Sequence, residues 1–136
     1  VELAVACGAD GVHLGQDDMP LKTARGLIGP GKLVGISTHN IEQAMMAEQG
    51  GADYIGFGPI FPTRTKDTGE PRGIGLLRQV RESVGIPVVA IGGINEYNAP
   101  QAIEAGADAV AVITAISEAD DKRGQASILS GFFSGR

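Results

Sequence analysis

Short apolar runs alternate with longer amphipathic stretches along the whole chain, and this alternation predicts its secondary structure. Nearly every position within a run is apolar, a pattern typical of parallel strands that are covered on both faces. The predicted strands begin near residues 11, 33, 53, 87 and 108. The predicted helices cover residues 20–28, 41–49, 74–84, 97–105 and a tail from about 117, with the end of a further helix at residues 1–7. The pattern therefore predicts an α/β protein with a parallel sheet.

The tripeptide Gly-Ala-Asp occurs at residues 8–10, 51–53 and 106–108. Each copy follows a helix-like stretch and precedes an apolar run. A glycine suits the position just past a helix end, where a positive φ is favoured. We expect the alanine to pack tightly and the aspartate to begin the strand. The repeat supports one architecture for the whole chain, a series of helix-to-strand units.

The spacing of the strands favours part of a (β/α)8 barrel over an open sheet. Strand starts recur about every 24 residues, so eight strands need about 195 residues, close to the lower limit of barrel sizes. The chain has 136 residues and begins within a predicted helix, without an initiator methionine. We therefore expect residues 1–136 to form one partial domain, the last five βα units of a TIM barrel whose first three strands are absent. An open, doubly wound sheet is the alternative.

Composition narrows the functional classes. The chain is 43% hydrophobic and 20% charged, with no apolar run near the roughly 20 residues of a membrane span, so we expect a globular cytoplasmic protein. Its formal net charge of −5 argues against nucleic-acid binding, which requires a basic surface. Cys7 is the single cysteine, which excludes a disulfide framework, and its apolar neighbours favour a buried packing role.

The segment at residues 56–66, Gly-Phe-Gly-Pro-Ile-Phe-Pro-Thr-Arg-Thr-Lys, leads from an apolar strand into a loop of hydroxyls and cations. Its prolines lack backbone donors and end the strand ladder, while its glycines permit close backbone approach. Thr63, Arg64, Thr65 and Lys66 then provide hydrogen-bond donors at consecutive positions. This loop is predicted to bind an anionic ligand, although a solvated basic turn would have the same composition.

Residues 11–18 end a strand and continue with an amide and two carboxylates, Asp17 and Asp18. Carboxylates at a strand end suit Mg²⁺, which often takes one or two oxygen ligands from the protein while phosphate and water supply the others. Alternatively, either aspartate caps the helix that starts near Pro20. His13 has no second histidine or cysteine at ligand spacing, so we expect a hydrogen-bonded residue of the barrel interior.

The strand near residue 33 ends in the polar sequence Gly-Ile-Ser-Thr-His-Asn at residues 35–40. Ser37 and His39 are two positions apart, so in a strand both side chains point to one face and could act as a pair. No Gly-x-Ser-x-Gly elbow surrounds the serine, which argues against acyl-transfer chemistry. Asn40 is predicted to be the N-cap of the next helix, with His39 a ligand contact or a spectator.

Backbone donors follow the last two predicted strands. Gly92 and Gly93 come directly after one of them, and Ile113 and Thr114 follow the other. In (β/α)8 barrels the loops at these positions commonly hold a phosphate through backbone N–H groups. We therefore predict a phosphate site here, and for the glycine pair the alternative is a tight strand-to-helix turn.

Together these segments resemble the thiamine-phosphate synthase (thiamine-phosphate pyrophosphorylase) family over nearly all 136 residues. The matching motifs, in the family's order and spacing, are Gly-Val-His-Leu-Gly-Gln-Asp-Asp, Gly-Ile-Ser-Thr-His, Gly-Pro-Ile-Phe-Pro-Thr-Arg-Thr-Lys, Val-Ala-Ile-Gly-Gly-Ile and Ala-Val-Ile-Thr-Ala-Ile. Members of this family use Mg²⁺ to condense hydroxymethylpyrimidine diphosphate with a thiazole phosphate, which gives thiamine phosphate and pyrophosphate. The resemblance implies a transferase of thiamine biosynthesis that binds these two small molecules.

The resemblance also implies roles for individual residues. Asp18 would be one of two magnesium ligands, and Ser37 and Lys66 would contact the pyrimidine diphosphate, with Lys66 neutralising the departing group. If the diphosphate departs before the thiazole nitrogen attacks, leaving a carbocation stabilised by the pyrimidine, no side-chain nucleophile is required. The groups that would hold the thiazole phosphate are Thr63, Arg64, Thr65, Gly93 and the backbone of Ile113 and Thr114.

Two features depart from the family pattern. Thr114 occupies a position where the family usually has serine. The family's pyrimidine-diphosphate segment and its first magnesium aspartate lie on earlier strands, so we expect residues 1–136 alone to be inactive and poorly behaved. Two other functions stay open: a thiazole tautomerase with His39 as acid and base, and a non-catalytic module that binds phosphate ligands. A homo-oligomer also stays open.

Overall fold

Five parallel strands form one sheet in the computed structural model, which describes residues 1–63 and 69–134. The strands are hydrogen-bonded in the order of the sequence, and each pairs in parallel with its neighbour. Their bounds are β1 (Gly11–Leu14), β2 (Leu33–Thr38), β3 (Tyr54–Phe57), β4 (Val88–Ile91) and β5 (Ala109–Ala111). The predicted strands are confirmed, each starting within one residue of its predicted position.

Helices alternate with these strands along the described chain. They are α1 (Glu2–Ala6), α2 (Leu21–Ile28), α3 (Ile41–Gln49), α4 (Gly73–Ser83), α5 (Ala99–Glu104), α6 (Thr114–Ser117) and α7 (Lys122–Gly131). The tail predicted from about residue 117 becomes helical at Lys122, where the carboxylate of Asp121 accepts the N–H of Gly124 and caps α7. The short helix α6 lies before this tail and is not among the predicted helices. Among the described residues, no helix has both the length and the apolar character that crossing a bilayer demands.

The strand order excludes a doubly wound sheet for the described strands, because such a sheet reverses its order at a switch point and this one does not. Right-handed crossovers between sequential neighbours place the connecting helices on one face of the sheet. That face holds the hydrophobic core. The buried side chains that the strands contribute to it are Leu14, Val34, Ile36, Thr38, Ile55, Phe57, Val88 and Ala90.

The opposite face of the sheet, which we call the accessible face, is not covered by the helices of the described chain. On it His13 is exposed, and Leu33 and Ile91 keep 55% and 41% of their surface exposed. The expectation that the strands are covered on both faces is therefore wrong for the described residues. The apolar runs reflect one face packed against helices and a second face that mixes apolar, small and polar side chains.

The Gly-Ala-Asp repeat joins helices to strands as predicted. Gly8, Gly51 and Gly106 have positive φ angles of 67°, 85° and 101°, which glycine adopts without steric strain. The alanines of the second and third copies, Ala52 and Ala107, are buried. Each copy therefore turns the chain after a helix and directs it into the following strand.

The aspartates of the second and third copies tie neighbouring strands together at the amino-terminal edge of the sheet. Oδ2 of Asp53 accepts the N–H of Val34 at 2.7 Å and a guanidinium N–H of Arg25 at 2.5 Å. Asp108 makes the same two kinds of contact with the start of β4 and with Arg81. The hydrogen bond from Arg25 holds the pKa of Asp53 below its ordinary value of 3.8. These ion pairs lie at the edge opposite to the candidate site.

Cys7 follows α1 and is exposed, so the prediction of a buried packing role is wrong. The helix before it is five residues long and contains no buried side chain. The apolar residues around Cys7 indicate burial, but no further layer of the described chain packs over α1.

Candidate active site

The carboxyl-terminal ends of the strands meet at one edge of the sheet, where the loops enclose a cavity of about 350 Å³. Asp17, Ser37, Thr63, Gly93 and Thr114 border it, one from the loop or strand end of each successive strand. Parallel α/β proteins bind their ligands at this edge. The structure thus brings residues from separate segments of the sequence to one cavity.

A second cavity, of about 440 Å³, adjoins the first on the side of β4 and β5. The two cavities share Thr63, Gly93, Ile94 and Thr114. Asn95 and Glu118 border the second cavity alone. Three of the positions predicted to contact a phosphate therefore lie where the two cavities meet.

A glycine pair shapes the wall between β4 and the loop after β3. Gly92 and Gly93 have positive φ angles of 98° and 65°, so the chain turns sharply at the end of β4. Side chains at these positions would collide with Pro59 and with the carbonyl of Pro62. The N–H of Phe61 donates to the Gly92 carbonyl at 3.0 Å and joins the two loops. The tight turn is confirmed, and it does not exclude backbone contacts to a ligand.

Ser37 is hydrogen-bonded to His13, and not to His39 as the two-residue spacing suggests. Its Oγ lies 2.8 Å from Nε2 of His13, and Nδ1 of the same ring lies 3.0 Å from the hydroxyl of Tyr54. The three side chains belong to β2, β1 and β3 and meet on the accessible face. The prediction that His13 is hydrogen-bonded is therefore confirmed.

His39 lies just past the end of β2 and borders the first cavity. Its Nδ1–H donates to the carbonyl of Gly58 at 2.7 Å, because a carbonyl oxygen can only accept. Its backbone N–H donates to Oε1 of Gln43 at 2.8 Å. The side chain of Asn40 accepts the N–H of Gln43 at 2.8 Å, which confirms Asn40 as the N-cap of α3.

Asp18 folds back onto its own loop. Its Oδ2 accepts the N–H of Gly15 at 2.7 Å. Helix α2 has Pro20 at its N-cap and no side-chain capping bond, so the alternative in which an aspartate caps this helix is wrong. One carboxylate oxygen thus orders the turn after β1, while the side chain as a whole is exposed.

Oxygen ligands for a magnesium ion are present but do not form a complete cage. No cluster of three or more His, Cys, Asp or Glu side chains suited to a metal occurs within the described residues. Asp17 borders the first cavity and Asp18 is its neighbour in the same turn. Because Mg²⁺ usually combines one or two carboxylates with waters and substrate phosphates, this donor set fits an ion that binds together with a phosphorylated ligand.

The neighbouring side chains desolvate part of the otherwise exposed His13 ring and lower its pKa below the ordinary value of 6.5, and the negative charge of Asp18 partly opposes this shift. The imidazole is therefore mainly neutral at pH 7, and it donates at one ring nitrogen while it accepts at the other. Burial also raises the pKa of the Tyr54 phenol above 10.0, so Tyr54 keeps its proton. At neutral pH the linked side chains of Tyr54, His13 and Ser37 carry no net charge.

Three of the predicted site residues, Arg64, Thr65 and Lys66, lie outside the described residues. Their roles stay predictions. Thr63 directly precedes them and borders both cavities. Ile113, at the end of the loop after β5, is exposed and borders the first cavity.

Tyr54 is a residue of this site that the sequence patterns do not single out. In the sheet register His13 lies beside Gly35, and Gly35 lies beside Tyr54. A side chain at Gly35 would collide with the phenol ring, so the glycine makes room for the contact between the outer two residues. A glycine inside an apolar strand is a signal of such close approach, but the register that identifies its neighbours is not visible in the sequence.

The sequence matches the family model described as thiamine monophosphate synthase over residues 1–116. A curated thiamine-phosphate synthase from Shouchella clausii is 51% identical over 130 residues, which cover 95% of this chain and 62% of that protein. Another from Methanocella arvoryzae is 51% identical over 135 residues, which cover 98% of this chain and 64% of that protein. The chain thus spans slightly less than two thirds of the length of these relatives.

Solved structures give a consistent result. Thiamine phosphate pyrophosphorylase from Pyrococcus furiosus aligns with a TM-score of 0.87 and 43% identity over 97% of this chain and 63% of that one. The 3-hexulose-6-phosphate synthase from Salmonella typhimurium aligns with a TM-score of 0.74 over 97% of this chain and 65% of that one. At 23% identity this second likeness concerns the fold alone.

Proposed function

The chain belongs to the thiamine monophosphate synthase family, and on this basis we propose that the protein containing it is a thiamine-phosphate synthase. In the proposed reaction the nitrogen of 4-methyl-5-(2-phosphooxyethyl)thiazole forms a bond to the methylene carbon of hydroxymethylpyrimidine diphosphate. The bond between that carbon and the diphosphate oxygen breaks, which gives thiamine phosphate and pyrophosphate. The observation that carries the proposal is the cavity at the strand ends, which is bordered by segments following all the described strands.

Two adjoining cavities suit a reaction between two phosphorylated molecules. We assign the thiazole phosphate to the junction of the cavities, where Gly93 and Thr114 would contribute donors. The pyrimidine diphosphate would occupy the first cavity beside Ser37. The further groups proposed at the thiazole phosphate are Thr63, Arg64, Thr65 and the backbone of Ile113.

The proposed catalysis stabilises the charge of the leaving diphosphate and needs no side-chain nucleophile. Asp18 would hold Mg²⁺ together with the diphosphate and water. When bound, the ion would offset the negative charge that grows on the diphosphate. Lys66 would place a positive charge on the same group, and Ser37 would position the pyrimidine diphosphate for attack by the thiazole nitrogen.

We also propose that the described sheet is the carboxyl-terminal part of a (β/α)8 barrel. Its sequential strand order, its helices on one face and its partly apolar accessible face support this architecture. Further strands would pair with the described edge strands β1 and β5 and enclose the accessible face. The remaining pyrimidine-diphosphate and magnesium ligands would lie on those strands, and residues 1–136 alone would therefore be inactive. The single cysteine, which leaves no disulfide within residues 1–136, supports a cytoplasmic enzyme.

The reaction itself tests this function in the full-length protein. With both substrates and Mg²⁺, it should form thiamine phosphate, measured by fluorescence after oxidation to the thiochrome, together with an equal amount of pyrophosphate. Omission of either substrate, or chelation of the magnesium, should stop the formation of both products. Pyrophosphate release without thiamine phosphate would contradict the proposed condensation.

The two alternative functions give different results in the same assay. A non-catalytic module would bind thiazole phosphate in calorimetry without consuming the diphosphate. A thiazole tautomerase would interconvert thiazole isomers without the pyrimidine substrate and would depend on His39, whose Nδ1–H is already bonded to the carbonyl of Gly58. Either result in the absence of thiamine phosphate would overturn the proposal.

A further inference from the structure

Three uncharged side chains form a continuous hydrogen-bonded chain across three strands, from Tyr54 through His13 to Ser37. The rings of Tyr54 and His13 lie 5.5 Å apart between centroids and are tilted by 34°. Gly35 leaves the space that the phenol ring occupies, and Gly56 lies beside the imidazole. The backbone carbonyl of Ser37 also accepts a hydrogen bond from the side-chain amide of Gln16, in the loop after β1. This bond holds the main chain of the serine in place.

The direction of the hydrogen bonds decides what Ser37 can offer to a ligand. A neutral imidazole donates at one nitrogen and accepts at the other, so two arrangements are possible. In the first, Tyr54 donates to Nδ1, and Nε2–H of His13 donates to the serine oxygen. In the second, every bond is reversed and the serine donates its proton to Nε2.

Both arrangements make two hydrogen bonds, and they differ in which hydroxyl proton is left without a described acceptor. In the second arrangement this is the phenol proton of Tyr54, a residue that borders neither cavity and so cannot offer the proton to a ligand there. In the first arrangement the phenol proton is used, and the serine proton is free to point into the cavity. A donor directed into the cavity suits an anionic ligand, whereas a serine lone pair in that place would repel it.

We propose that Tyr54 and His13 are positioning residues that fix the hydroxyl proton of Ser37 toward the cavity, as a hydrogen-bond donor to the pyrimidine diphosphate. No proton is transferred in this arrangement. The phenol donates to Nδ1 of His13 and so selects the Nε2–H tautomer. The Nε2–H group then donates to a lone pair of the Ser37 hydroxyl oxygen. The identity of the ligand rests on the proposed function, whereas the tautomer is a property of the protein alone.

The tautomer can be measured by long-range ¹H–¹⁵N NMR on the full-length protein at pH 7.5. The His13→Gln and His39→Gln variants assign the histidine signals of this sequence. We expect His13 to be the Nε2–H tautomer, and we expect Tyr54→Phe to convert it to a mixture, because this substitution removes the hydroxyl and keeps the ring. Tyr97→Phe is the matched control, since Tyr97 is 83% exposed and lies outside both cavities, and it should leave the signals unchanged.

Kinetics then separate positioning from a general structural effect. Tyr54→Phe should raise the KM for the pyrimidine diphosphate about three- to tenfold, as the loss of one oriented hydrogen bond implies, with an unchanged KM for thiazole phosphate. In a Ser37→Ala background the same substitution should have no further effect, because it acts through the serine hydroxyl.

An Nδ1–H tautomer of His13 in the unmodified protein would overturn the inference. An equal loss from Tyr54→Phe with and without the serine hydroxyl would overturn it as well, since this is the result of a purely structural role. If the full-length protein forms no thiamine phosphate, the proposed function fails, and the NMR measurement still decides whether Tyr54 sets the tautomer of His13.

Discussion

At the scale of single residues, the proposed reaction depends most on a positive charge at the leaving group. A positive charge that faces the departing diphosphate stabilises the transition state more than it stabilises the complex with bound substrates. We therefore expect Lys66→Ala to lower kcat about 100- to 1000-fold, the range observed when one preorganised electrostatic contact is removed. The Kd for thiazole phosphate, measured by calorimetry, should stay nearly unchanged.

A matched control for this substitution is Lys22→Ala. Lys22 lies on α2, is exposed and borders neither cavity. Its substitution therefore removes the same ammonium group at a place away from the site. Its kinetics should equal those of the unmodified enzyme. Equal losses of turnover and thiazole phosphate binding in Lys66→Ala would contradict the role assigned to this lysine.

The contacts of individual side chains were harder to predict from the sequence than their location. Strand periodicity places Ser37 at the correct end of β2, but the same rule applied to His39 fails because β2 ends at Thr38. The partner of the serine, His13, is 24 residues away in the sequence. Only the register between strands brings it there, and Tyr54 reaches it through the same register.

At the scale of elements, ion pairs at the amino-terminal edge of the sheet hold a helix and two strands together. Asp53 is the centre of one of them, with bonds to Arg25 and to the N–H of Val34. Conserving the shape of this side chain while removing its charge tests the ion pair. Asp53→Asn should lower the free energy of unfolding at pH 7 by about 1 kcal/mol, a modest value because 38% of the side chain is exposed.

The first copy of the repeat supplies the control. Asp10 is fully exposed and lies 3.5 Å from the ammonium of Lys32. Exposed pairs of this kind contribute little to stability, so Asp10→Asn should leave the urea unfolding midpoint unchanged. A loss as large as that of the Asp53 variant would show that the charge of the repeat, and not the hydrogen bonds of Asp53 to Arg25 and Val34, determines the effect.

The same ion pair has a defined pH dependence. The pKa of Asp53 is lower in the folded protein than the ordinary 3.8 expected for the unfolded chain. Its stabilising contribution is therefore complete above that value and is lost as the pH falls through the folded pKa. The difference in unfolding free energy between the unmodified protein and Asp53→Asn should shrink from pH 6 to pH 3. A constant difference over this range would exclude the carboxylate charge as its cause.

The elements themselves follow closely from the sequence, because the apolar runs and the Gly-Ala-Asp turns are local signals. The helix ends depend on nearby caps, and Asn40 is predicted correctly for this reason. The short helix α6 is missed, and the start of α7 is placed too early, since the cap at Asp121 lies within a polar stretch that contains several possible capping residues. The exposure of Cys7 is missed because it depends on what packs against α1, which a local pattern does not contain.

At the scale of the whole molecule, the proposed barrel predicts how the accessible face of the sheet affects the stability of the protein. It exposes apolar side chains, among them Leu33 and Ile91. A monomeric protein rarely keeps a contiguous apolar face in water. In a closed barrel these side chains would fill the interior, so the proposed architecture predicts opposite properties for residues 1–136 alone and for the full-length protein.

A single substitution on this face tests the difference. Leu33 is 55% exposed on the accessible face, at the end of β2 away from both cavities. In the full-length protein Leu33→Thr should lower the free energy of unfolding by about 2 kcal/mol, because a side chain buried by the closed barrel loses apolar contacts. In residues 1–136 alone it should leave stability nearly unchanged, reduce binding of the dye ANS and increase solubility.

The control is Leu27→Thr on α2, where the leucine is 49% exposed on the helical layer. This substitution should change the stability of both proteins equally. A Leu33→Thr variant that loses no stability in the full-length protein would mean that no further strand covers this face, and the barrel would have to be abandoned.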